Sequence, residues 1–378
     1  MKHLWRHIPP FSPDTSGFAA VMNGTDGIGI IDDSRGCAGN YYNGEEYRYH
    51  LTNRIFVSEI ANEDVIMGTE NKIISKFVLE SAKLSPDFAM LCGSPIASFI
   101  GTDLKEVAGK LQTDFNIPAS AVDLTGHESY EKGIAKTLEC LAQLLADPST
   151  KKSVGINLIG ATFLDWGPQN IDHLPAWCQQ QNLGILSNWG GENTAANMRI
   201  APAADCNLVL TVSGLSAGRR LNQAFGTPMI AGAPFGKSWT NLLLSGIEHK
   251  SMDCQITFDN DKDTEAIVIG EQFMANALRT TLRLDYGMSA VKVCSFFTLD
   301  RHFKEPGDIL LQSEGELKDL FRHHANSMII GDPFLRYFSL PTCKWIDLPH
   351  YAVSGKIFAD QMPLLLGEQT NQWLDTIL

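Results

Sequence analysis

Two common sequence features are missing from this 378-residue chain: a Cys-x-x-Cys pair and a long apolar run. Its eight cysteines form no Cys-x-x-Cys pair, so neither a zinc ribbon nor a thioredoxin-type redox site is indicated. No apolar run approaches the roughly 18 residues that a membrane-spanning helix needs. The N-terminal MKHLWRHIPPF also lacks the apolar core of a signal peptide, and we therefore expect a cytoplasmic protein whose cysteines are reduced.

Basic residues are in the minority. There are 30 lysines and arginines against 43 aspartates and glutamates, which gives a formal net charge of −13. This charge argues against nucleic acid or an anionic membrane as the main partner. Hydrophobic residues make up 44% and charged residues 19%, as in ordinary soluble globular proteins, and the length allows two or three domains.

Short β-rich runs alternate with helical patterns along the chain. The predicted strands lie at 27–31, 54–60, 88–91, 120–124, 154–160, 183–189, 207–212, 228–232, 266–270, 289–296, 327–332 and 344–348. Strands that alternate with helices of this kind predict parallel sheets covered on both faces. We therefore predict three doubly wound, Rossmann-like α/β domains, at 1–150, 151–260 and 261–378. Ligands of such sheets lie beyond the carboxyl ends of the strands.

Two cysteines occupy matching places in the first of these blocks. Cys37, in DDSRGCAG, and Cys92, in FAMLCGSPIASFIGTDL, each follow a buried run and precede a bend that contains glycine. A structural thiol and a metal ligand are both compatible with this placement. The spacing alone leaves the two roles open.

Several segments, in this order, resemble the nitrogenase component 1 family. They are DDSRGC, MGTENKI, CGSPIASFIGTD, NLVLTVSGLSAGRRLNQAFGTPMI, RTTLRLDYGMSAVKV and CKWIDLPHYAVSGKIF. The family fold is three α/β domains, which agrees with the strand pattern. The family also includes protochlorophyllide and chlorophyllide reductases and a nickel-tetrapyrrole reductive cyclase.

The chain departs from the family pattern where a further cluster cysteine is expected. The corresponding stretch, PPFSPDTSGFAAVMNG, has Ser12 and Asp14 but no cysteine. The resemblance therefore implies that Cys37 and Cys92 of two subunits together hold one four-iron four-sulfur cluster at a dimer interface. Asp14 is a candidate oxygen ligand, and its alternative is a turn or helix-capping residue.

In the family, the large iron–molybdenum cofactor is ligated by a cysteine and a histidine. The stretch NLVLTVSGLSAG has no cysteine, so we expect neither this cofactor nor nitrogen fixation, but a cavity open to another ligand. Its predicted lining is Trp189, Gly190, Gly191, Ser213, His350 and Tyr351. The tryptophan and the tyrosine would stack on a flat ring, and His350 would bind a metal held in that ring or donate a proton during reduction. The alternatives are a plain turn at the glycines and a solvated loop histidine.

The segment GAPFGKSWT (232–240) looks like a phosphate-binding loop. It is one residue shorter than the G-x-x-x-x-G-K-[ST] spacing, and the backbone cradle depends on that length. We therefore predict that it binds no nucleotide.

The resemblance implies the catalytic, electron-accepting component of a two-component, nitrogenase-like reductase. A separate ATP-hydrolysing Fe protein would supply its electrons. The chain would form a homodimer, or a heterodimer with a paralogous component 1 subunit. A planar tetrapyrrole fits the family branches that lack the large cofactor. Two alternatives stay open: a scaffold or carrier for the assembly of a metal cluster or tetrapyrrole, and a metal-free small-molecule binding protein.

Overall fold

Three parallel β-sheets flanked by helices form the computed structural model of the chain, which describes residues 5–37, 46–48, 53–251 and 265–378. All strand pairs within these sheets are parallel. The predicted doubly wound α/β class is therefore confirmed. The predicted boundary between the second and third domains, at residue 260, lies outside the described residues, and the division into domains stays a prediction.

The first sheet has the strand order β2-β1-β3-β4. Its strands are β1 (Ile28–Asp32), β2 (Ile55–Val57), β3 (Ala89–Gly93) and β4 (Ala119–Val122). Its helices are α1 (Asp14–Met22), α2 (Asp64–Met67), α3 (Glu70–Leu84), α4 (Pro95–Ile100), α5 (Leu104–Phe115) and α6 (Tyr130–Leu145). Strands β1 and β3 are buried at every position, which explains why both appear in the sequence as continuous apolar runs.

The second sheet has the order β6-β5-β7-β8. Its strands are β5 (Ile156–Ile159), β6 (Ile185–Trp189), β7 (Cys206–Val209) and β8 (Met229–Ala231). Its helices are α7 (Phe163–Gln180), α8 (Ala195–Ile200), α9 (Leu215–Phe225) and α10 (Lys237–His249).

The third sheet has the order β11-β10-β9-β12-β13. Its strands are β9 (Ala266–Ile269), β10 (Val291–Ser295), β11 (Ile309–Leu310), β12 (Met328–Gly331) and β13 (Lys344–Asp347). The helices that follow are α11 (Gln272–Tyr286), α12 (Glu314–His323), α13 (Tyr351–Ser354) and α14 (Gln369–Asp375). No sequence pattern predicted β11, because two residues are too few to show a period.

Side-chain caps start the two helices that follow β3. Ser94 accepts a hydrogen bond from the backbone N–H of Ala97 at the start of α4. Asp103 accepts from the N–H groups of Lys105 and Glu106 at the start of α5. The chain from β3 onward is therefore a strand, a bend and two capped helices.

Helices α1 and α6 cross at two glycines. A Cβ atom on Gly17 would lie 2.1 Å from the carbonyl oxygen of Tyr130, and one on Gly133 would lie 1.9 Å from that of Asp14. Both distances are far below van der Waals contact, so only glycine permits this crossing.

One apolar cluster extends through all three sheets. It contains Ile31 of the first sheet, Leu158 of the second and Val268 of the third. The sheets therefore share a continuous core, and their carboxyl ends face a common junction. Among the described helices, none is both long enough and apolar enough to cross a bilayer.

Candidate functional site

Cys92 lies on β3, where Ile31 of β1 is its neighbour in register. Its side chain is fully buried. Burial raises the pKa of the Cys92 thiol well above its usual value, and the charges of Asp14, Asp33 and Asp32 raise it further. The thiol is therefore protonated at neutral pH in these surroundings, and a bound cation would be needed to stabilise its thiolate.

Cys37 closes a single 3-10 turn, Arg35–Cys37, just beyond the end of β1. Its backbone N–H donates to the carbonyl oxygen of Ser34 at 3.1 Å, and the Ser34 hydroxyl donates to the Cys37 Sγ at 3.3 Å. The side chain is half-buried and packs against the same apolar cluster that contains Cys92. Both cysteines thus lie toward the carboxyl edge of the first sheet, Cys92 on β3 and Cys37 in the turn beyond the end of the adjacent β1.

Asp14 is the first residue of α1, with Pro13 at the N-cap position. Its side chain is buried, its Oδ2 accepts a hydrogen bond from the N–H of Thr125 at 3.3 Å, and its Oδ1 has no hydrogen-bond partner. Burial raises the pKa of the carboxyl group. Its charge acts on Cys92, so the structure places it within electrostatic range of that thiol.

The described residues of one chain offer fewer donors than an iron–sulfur cluster needs. Within the described residues, no group of three or more histidine, cysteine or acidic side chains has the geometry of a metal site. Two thiols at one sheet edge match half of the four thiolates of such a cluster. The chemistry of Cys37 and Cys92 is compatible with half of such a ligand set, and Asp14 Oδ1 has no hydrogen-bond partner.

Trp189 ends β6, and its indole is buried against the sheet. The indole N–H donates to the Ser187 hydroxyl at 2.6 Å, and that hydroxyl donates to Asn157 Oδ1 at 2.6 Å. Asn157 in turn donates to Asn207 Oδ1 at 2.7 Å, so a polar ladder crosses three strands. The tryptophan is a member of this ladder, and stacking on a ligand would require a change of its rotamer.

The glycines after Trp189 accommodate other parts of the chain. Gly190 has φ 126°, and a Cβ there would lie 2.6 Å from the Ala161 carbonyl oxygen. A Cβ on Gly24 would lie 2.3 Å from the carbonyl oxygen of Gly191, which shows how closely the two loops approach. The space beside these glycines, which we expected a ligand to approach closely, is thus occupied by other backbone segments. Thr194 caps α8 by accepting from the N–H of Asn197, as the turn alternative allows.

Ser213 and Tyr351 are buried at the junction of the sheets. The Ser213 hydroxyl lies 2.8 Å from that of Thr211, which donates to the carbonyl oxygen of Gly160. Tyr351 packs edge-to-face on Phe163 with ring centroids 5.1 Å apart. The role of both residues in ligand binding stays a prediction.

His350 precedes α13 and is only 3% exposed, which excludes a solvated loop histidine. Its backbone N–H donates to Asp332 Oδ2 at 2.8 Å. Its Nε2 lies 3.0 Å from the hydroxyl of Tyr130 and 3.6 Å from Asp165 Oδ1. The imidazole is thus fixed between groups that belong to other sheets.

Around His350 lies a buried acidic cluster that no sequence pattern indicated. We call it the junction cluster, and its members are Tyr130, Glu131, Asp165, Glu271 and His350. The Tyr130 hydroxyl donates to Asp165 Oδ1 at 2.5 Å. A partial signal exists in the sequence, because Glu271 directly follows the predicted strand 266–270.

Hydrogen bonds to backbone tie the junction cluster to all three sheets. Glu131 Oε2 accepts from the N–H of Thr298, beyond β10, at 2.7 Å. Glu271 Oε1 accepts from the N–H of Val212, beyond β7, at 2.8 Å, and its Oε2 accepts from Met274 at the start of α11 at 2.9 Å. Burial raises the pKa of Glu271 to about 8, and the charge of Asp165 adds to the shift.

The backbone N–H groups of the GAPFGKS segment are already engaged. Gly236 donates to the carbonyl oxygen of Gly367 at 3.0 Å, and Lys237 donates to Asn371 Oδ1 at 2.8 Å. The Lys237 ammonium pairs with Glu368 at 2.9 Å. The C-terminal segment thus occupies these groups, and the lack of a nucleotide site stays a prediction.

A family model supports the resemblance seen in the sequence. Residues 18–262 match the model described as nitrogenase component 1 type oxidoreductase. The match includes both candidate cluster cysteines, and it covers more than half of the chain.

Curated relatives are similar over much of the chain. It is 24% identical over 364 residues to one subunit of the light-independent protochlorophyllide reductase of Nostoc punctiforme, covering 82% of this chain and 70% of that protein. It is 23% identical over 239 residues to the nitrogenase molybdenum-iron protein alpha chain of Alcaligenes faecalis, covering 59% of this chain and 47% of that one. The chain thus spans about half of the nitrogenase subunit's length.

Solved structures share the fold. A structure titled nitrogenase Cp1 at pH 6.5 has a TM-score of 0.71 at 12% identity, covering 100% of this chain and 95% of the other. A second structure, of the same protein at pH 5, has a TM-score of 0.69 at 13% identity, with 100% and 89% covered. At these identities the likeness establishes the fold alone.

Proposed function

Because the chain belongs to the nitrogenase component 1 type oxidoreductase family, we propose that it is the catalytic, electron-accepting component of a two-component reductase. An ATP-hydrolysing Fe protein would deliver electrons to an iron–sulfur cluster shared between two subunits. The observation that carries this proposal is the placement of Cys92 on β3 and of Cys37 in the turn beyond the adjacent β1, at one edge of the first sheet. The proposed substrate is not dinitrogen.

The cluster would be held by Cys37 and Cys92 of each subunit. When bound, such a cluster stores and passes on low-potential electrons, which no protein side chain can supply. The chain's own contribution is the buried edge of the first sheet. Low polarity and the nearby carboxylates set the electrostatic surroundings of the thiolates. Asp14 is proposed as an additional contact through its unpartnered Oδ1.

An exposed apolar surface at the same edge supports a subunit interface. Ile66, Met67 and Phe99 are 85%, 82% and 88% exposed, and we call them the apolar patch. A hydrogen bond of 2.9 Å between Thr69 and Thr102 joins the two segments that carry it. Because two thiols leave a cluster half-ligated, we propose that a second component 1-type chain, a copy or a paralogue, covers this patch.

The substrate would be reduced at the junction of the three sheets, near His350. A groove of about 750 Å³, lined by residues 5–11 and Phe334, lies on one side of this junction. Phe11 in its wall contacts Phe297 with ring centroids 5.2 Å apart, and Phe297 contacts the ring of His350 at 5.0 Å. The groove is largely apolar and contains an arginine and a histidine. A flat ring with carboxylate substituents, such as a tetrapyrrole, fits this chemistry.

Iron binding by cysteine variants tests the proposal. We expect about four irons per dimer after anaerobic reconstitution of the wild-type protein. Cys37→Ala and Cys92→Ala should each lose the cluster in iron analysis and electron paramagnetic resonance. Matched controls are Cys206→Ala, fully buried on β7, and Cys140→Ala, half-buried on α6, which should keep it.

The outcomes separate the alternatives. Full cluster occupancy in Cys37→Ala or Cys92→Ala would refute the ligand assignment. A colourless, iron-free wild-type protein after reconstitution would favour a metal-free binding protein. A loaded protein that accepts no electrons from any Fe protein would favour a scaffold or carrier.

A further inference from the structure

The described N-terminal residues contact elements of the third sheet before α1 begins. We call residues 5–12 the strap. Three consecutive backbone N–H groups, of residues 6–8, donate to one oxygen, Oε1 of Glu314, at 2.7, 2.6 and 2.9 Å. Glu314 is the first residue of α12, and its side chain is buried. One carboxylate thus fastens the start of the strap to the third sheet.

The charge on Glu314 strengthens this contact. Burial alone would raise the pKa of its carboxyl group, but the hydrogen bonds from the backbone of residues 6–8 outweigh burial and lower the pKa. The group is therefore a carboxylate at neutral pH. A backbone N–H that donates to a charged oxygen forms a stronger hydrogen bond than one that donates to a neutral oxygen. The fastening of the strap therefore depends mainly on one side chain.

Ring contacts hold the rest of this part of the strap. Trp5 packs on Phe296 with ring centroids 5.4 Å apart, and the ring of His7 stacks on Tyr337 at 4.5 Å. The strap is described in full and contains no helix or strand. Because its opening breaks few backbone hydrogen bonds, it belongs to the class of segments that open at a small cost in free energy.

The other end of the strap is attached to two helices. The N–H of Ser12 donates to the carbonyl oxygen of Ala352 in α13 at 3.0 Å, and the carbonyl oxygen of Ser12 accepts from the N–H of Tyr130 in α6 at 3.0 Å. The two prolines between the ends have a fixed φ and no N–H, so this part of the strap is stiff. Release at Glu314 would therefore move the strap about Ser12 while α1 stays in place.

Phe11 of the strap lies over the approach to His350. Its ring contacts Phe297 at 5.2 Å between centroids, and Phe297 contacts the ring of His350 at 5.0 Å. His350 is buried, and the strap forms most of the lining of the groove described above. A molecule in that groove therefore cannot reach the imidazole while the strap is in place.

We propose that the strap is a gate over His350, which Glu314 holds closed and which the substrate opens. This inference rests on the proposed function, because that function assigns His350 to the reduction site. Opening exposes three backbone N–H groups, which are donors for a carboxylate, and the ring faces of Phe11 and Phe297. A flat molecule with carboxylate substituents therefore binds the open state better than the closed state, which is the condition for shifting the equilibrium. The closed gate excludes water from His350 until such a molecule arrives.

Removal of the carboxylate tests the gate on the purified full-length chain. In Glu314→Ala, the amides of residues 6–8 should exchange with deuterium at least about tenfold faster than in wild type, because a hydrogen bond to a charged group contributes a factor of that order or more. The rate at which diethyl pyrocarbonate modifies His350, measured by peptide mass spectrometry, should rise by a similar factor. The exposed His249 on α10 is an internal reference, and its rate of modification should stay the same.

Glu316→Ala is the matched control on the same helix. The Oε2 atom of Glu316 accepts from the N–H of Gln312 at 2.7 Å, a hydrogen bond at the start of α12 itself. This variant should behave as wild type in both measurements. Glu314→Gln keeps an acceptor oxygen without the charge, and its exchange and modification rates should lie between those of wild type and Glu314→Ala.

A second variant keeps the carboxylate and removes the ring. Phe11→Ala should raise the modification rate of His350 severalfold while the amides of residues 6–8 stay protected. If circular dichroism shows that Glu314→Ala does not fold, this variant decides, and an unchanged rate at His350 would overturn the proposal.

Two results in a folded Glu314→Ala would refute the gate. Unchanged amide exchange would show that Glu314 does not hold the strap closed. Faster exchange with an unchanged modification rate at His350 would show that the strap opens without controlling access. Neither measurement needs the metal cluster or a substrate. Failure of the gate would therefore leave the ligand role of Cys37 and Cys92 untouched, and loss of that role would leave both measurements unchanged.

Discussion

The replacement of Glu271 by glutamine should change how stability depends on pH. The folded-state pKa of this carboxyl group is about 8, against the ordinary value of 4.5. Because the folded state holds the proton more tightly, the stabilising contribution is fully present below about pH 4.5 and is lost as the pH rises toward about 8.

The magnitude follows from the width of that window. Each pH unit between the two pKa values costs about 1.4 kcal/mol of unfolding free energy, so a window of about 3.5 units removes roughly 5 kcal/mol. Glutamine is uncharged in the folded and the unfolded state, so the variant lacks this pH-dependent contribution to the unfolding free energy. Its amide replaces one of the two oxygens that accept from Val212 and Met274, at a cost of about 1–3 kcal/mol. The variant should therefore be less stable than wild type at about pH 4.5 and more stable at about pH 8.

Urea denaturation at a series of pH values, followed by tryptophan fluorescence, would measure this crossing. Glu139→Gln, on the exposed face of α6, is the matched control and should follow the wild-type curve. Parallel curves for wild type and Glu271→Gln across the window would show that the carboxyl group is not held protonated by its surroundings.

Three further changes have defined outcomes. In thermal denaturation, Gly133→Ala should lower the unfolding free energy by about 1–3 kcal/mol or more, because its Cβ would lie 1.9 Å from a backbone oxygen. The control Gly109→Ala has open space at that position and should be neutral or stabilising. The isolated chain should bind no ATP–magnesium in calorimetry, and micromolar affinity would overturn the division of labour between two components. His350→Ala should slow reduction of an accepted tetrapyrrole while the iron content and the dimer stay intact, and an unchanged rate would remove it from the reduction site.

The sequence predicted the strands far better than the chemistry between them. Each predicted strand overlaps an observed one, because buried parallel strands appear as apolar runs separated by helical periods. The ends of the helices are set by single residues: Gly101 ends α4, and Asp103 caps α5, which begins at Leu104. Local patterns of this kind are sufficient to identify elements.

The junction cluster shows why the candidate site was harder to predict from the sequence than the fold was. Tyr130 and Asp165 come from helix starts 35 residues apart, and His350 lies 220 residues beyond Tyr130. Their significance comes from burial and mutual distance, which a linear pattern does not contain. Of these residues, the resemblance indicated only His350. A sequence motif does not show which residues will be its neighbours in the folded chain.

The crossing of α1 and α6 has a mechanical consequence. The same pair of helices carries Asp14, close to Cys92, and Tyr130, which touches His350. At the two glycines the backbones of α1 and α6 are in direct contact, so one helix cannot slide or rotate on the other without a steric clash. The sheet edge that carries Cys92 and the phenol that contacts His350 are therefore parts of one stiff body.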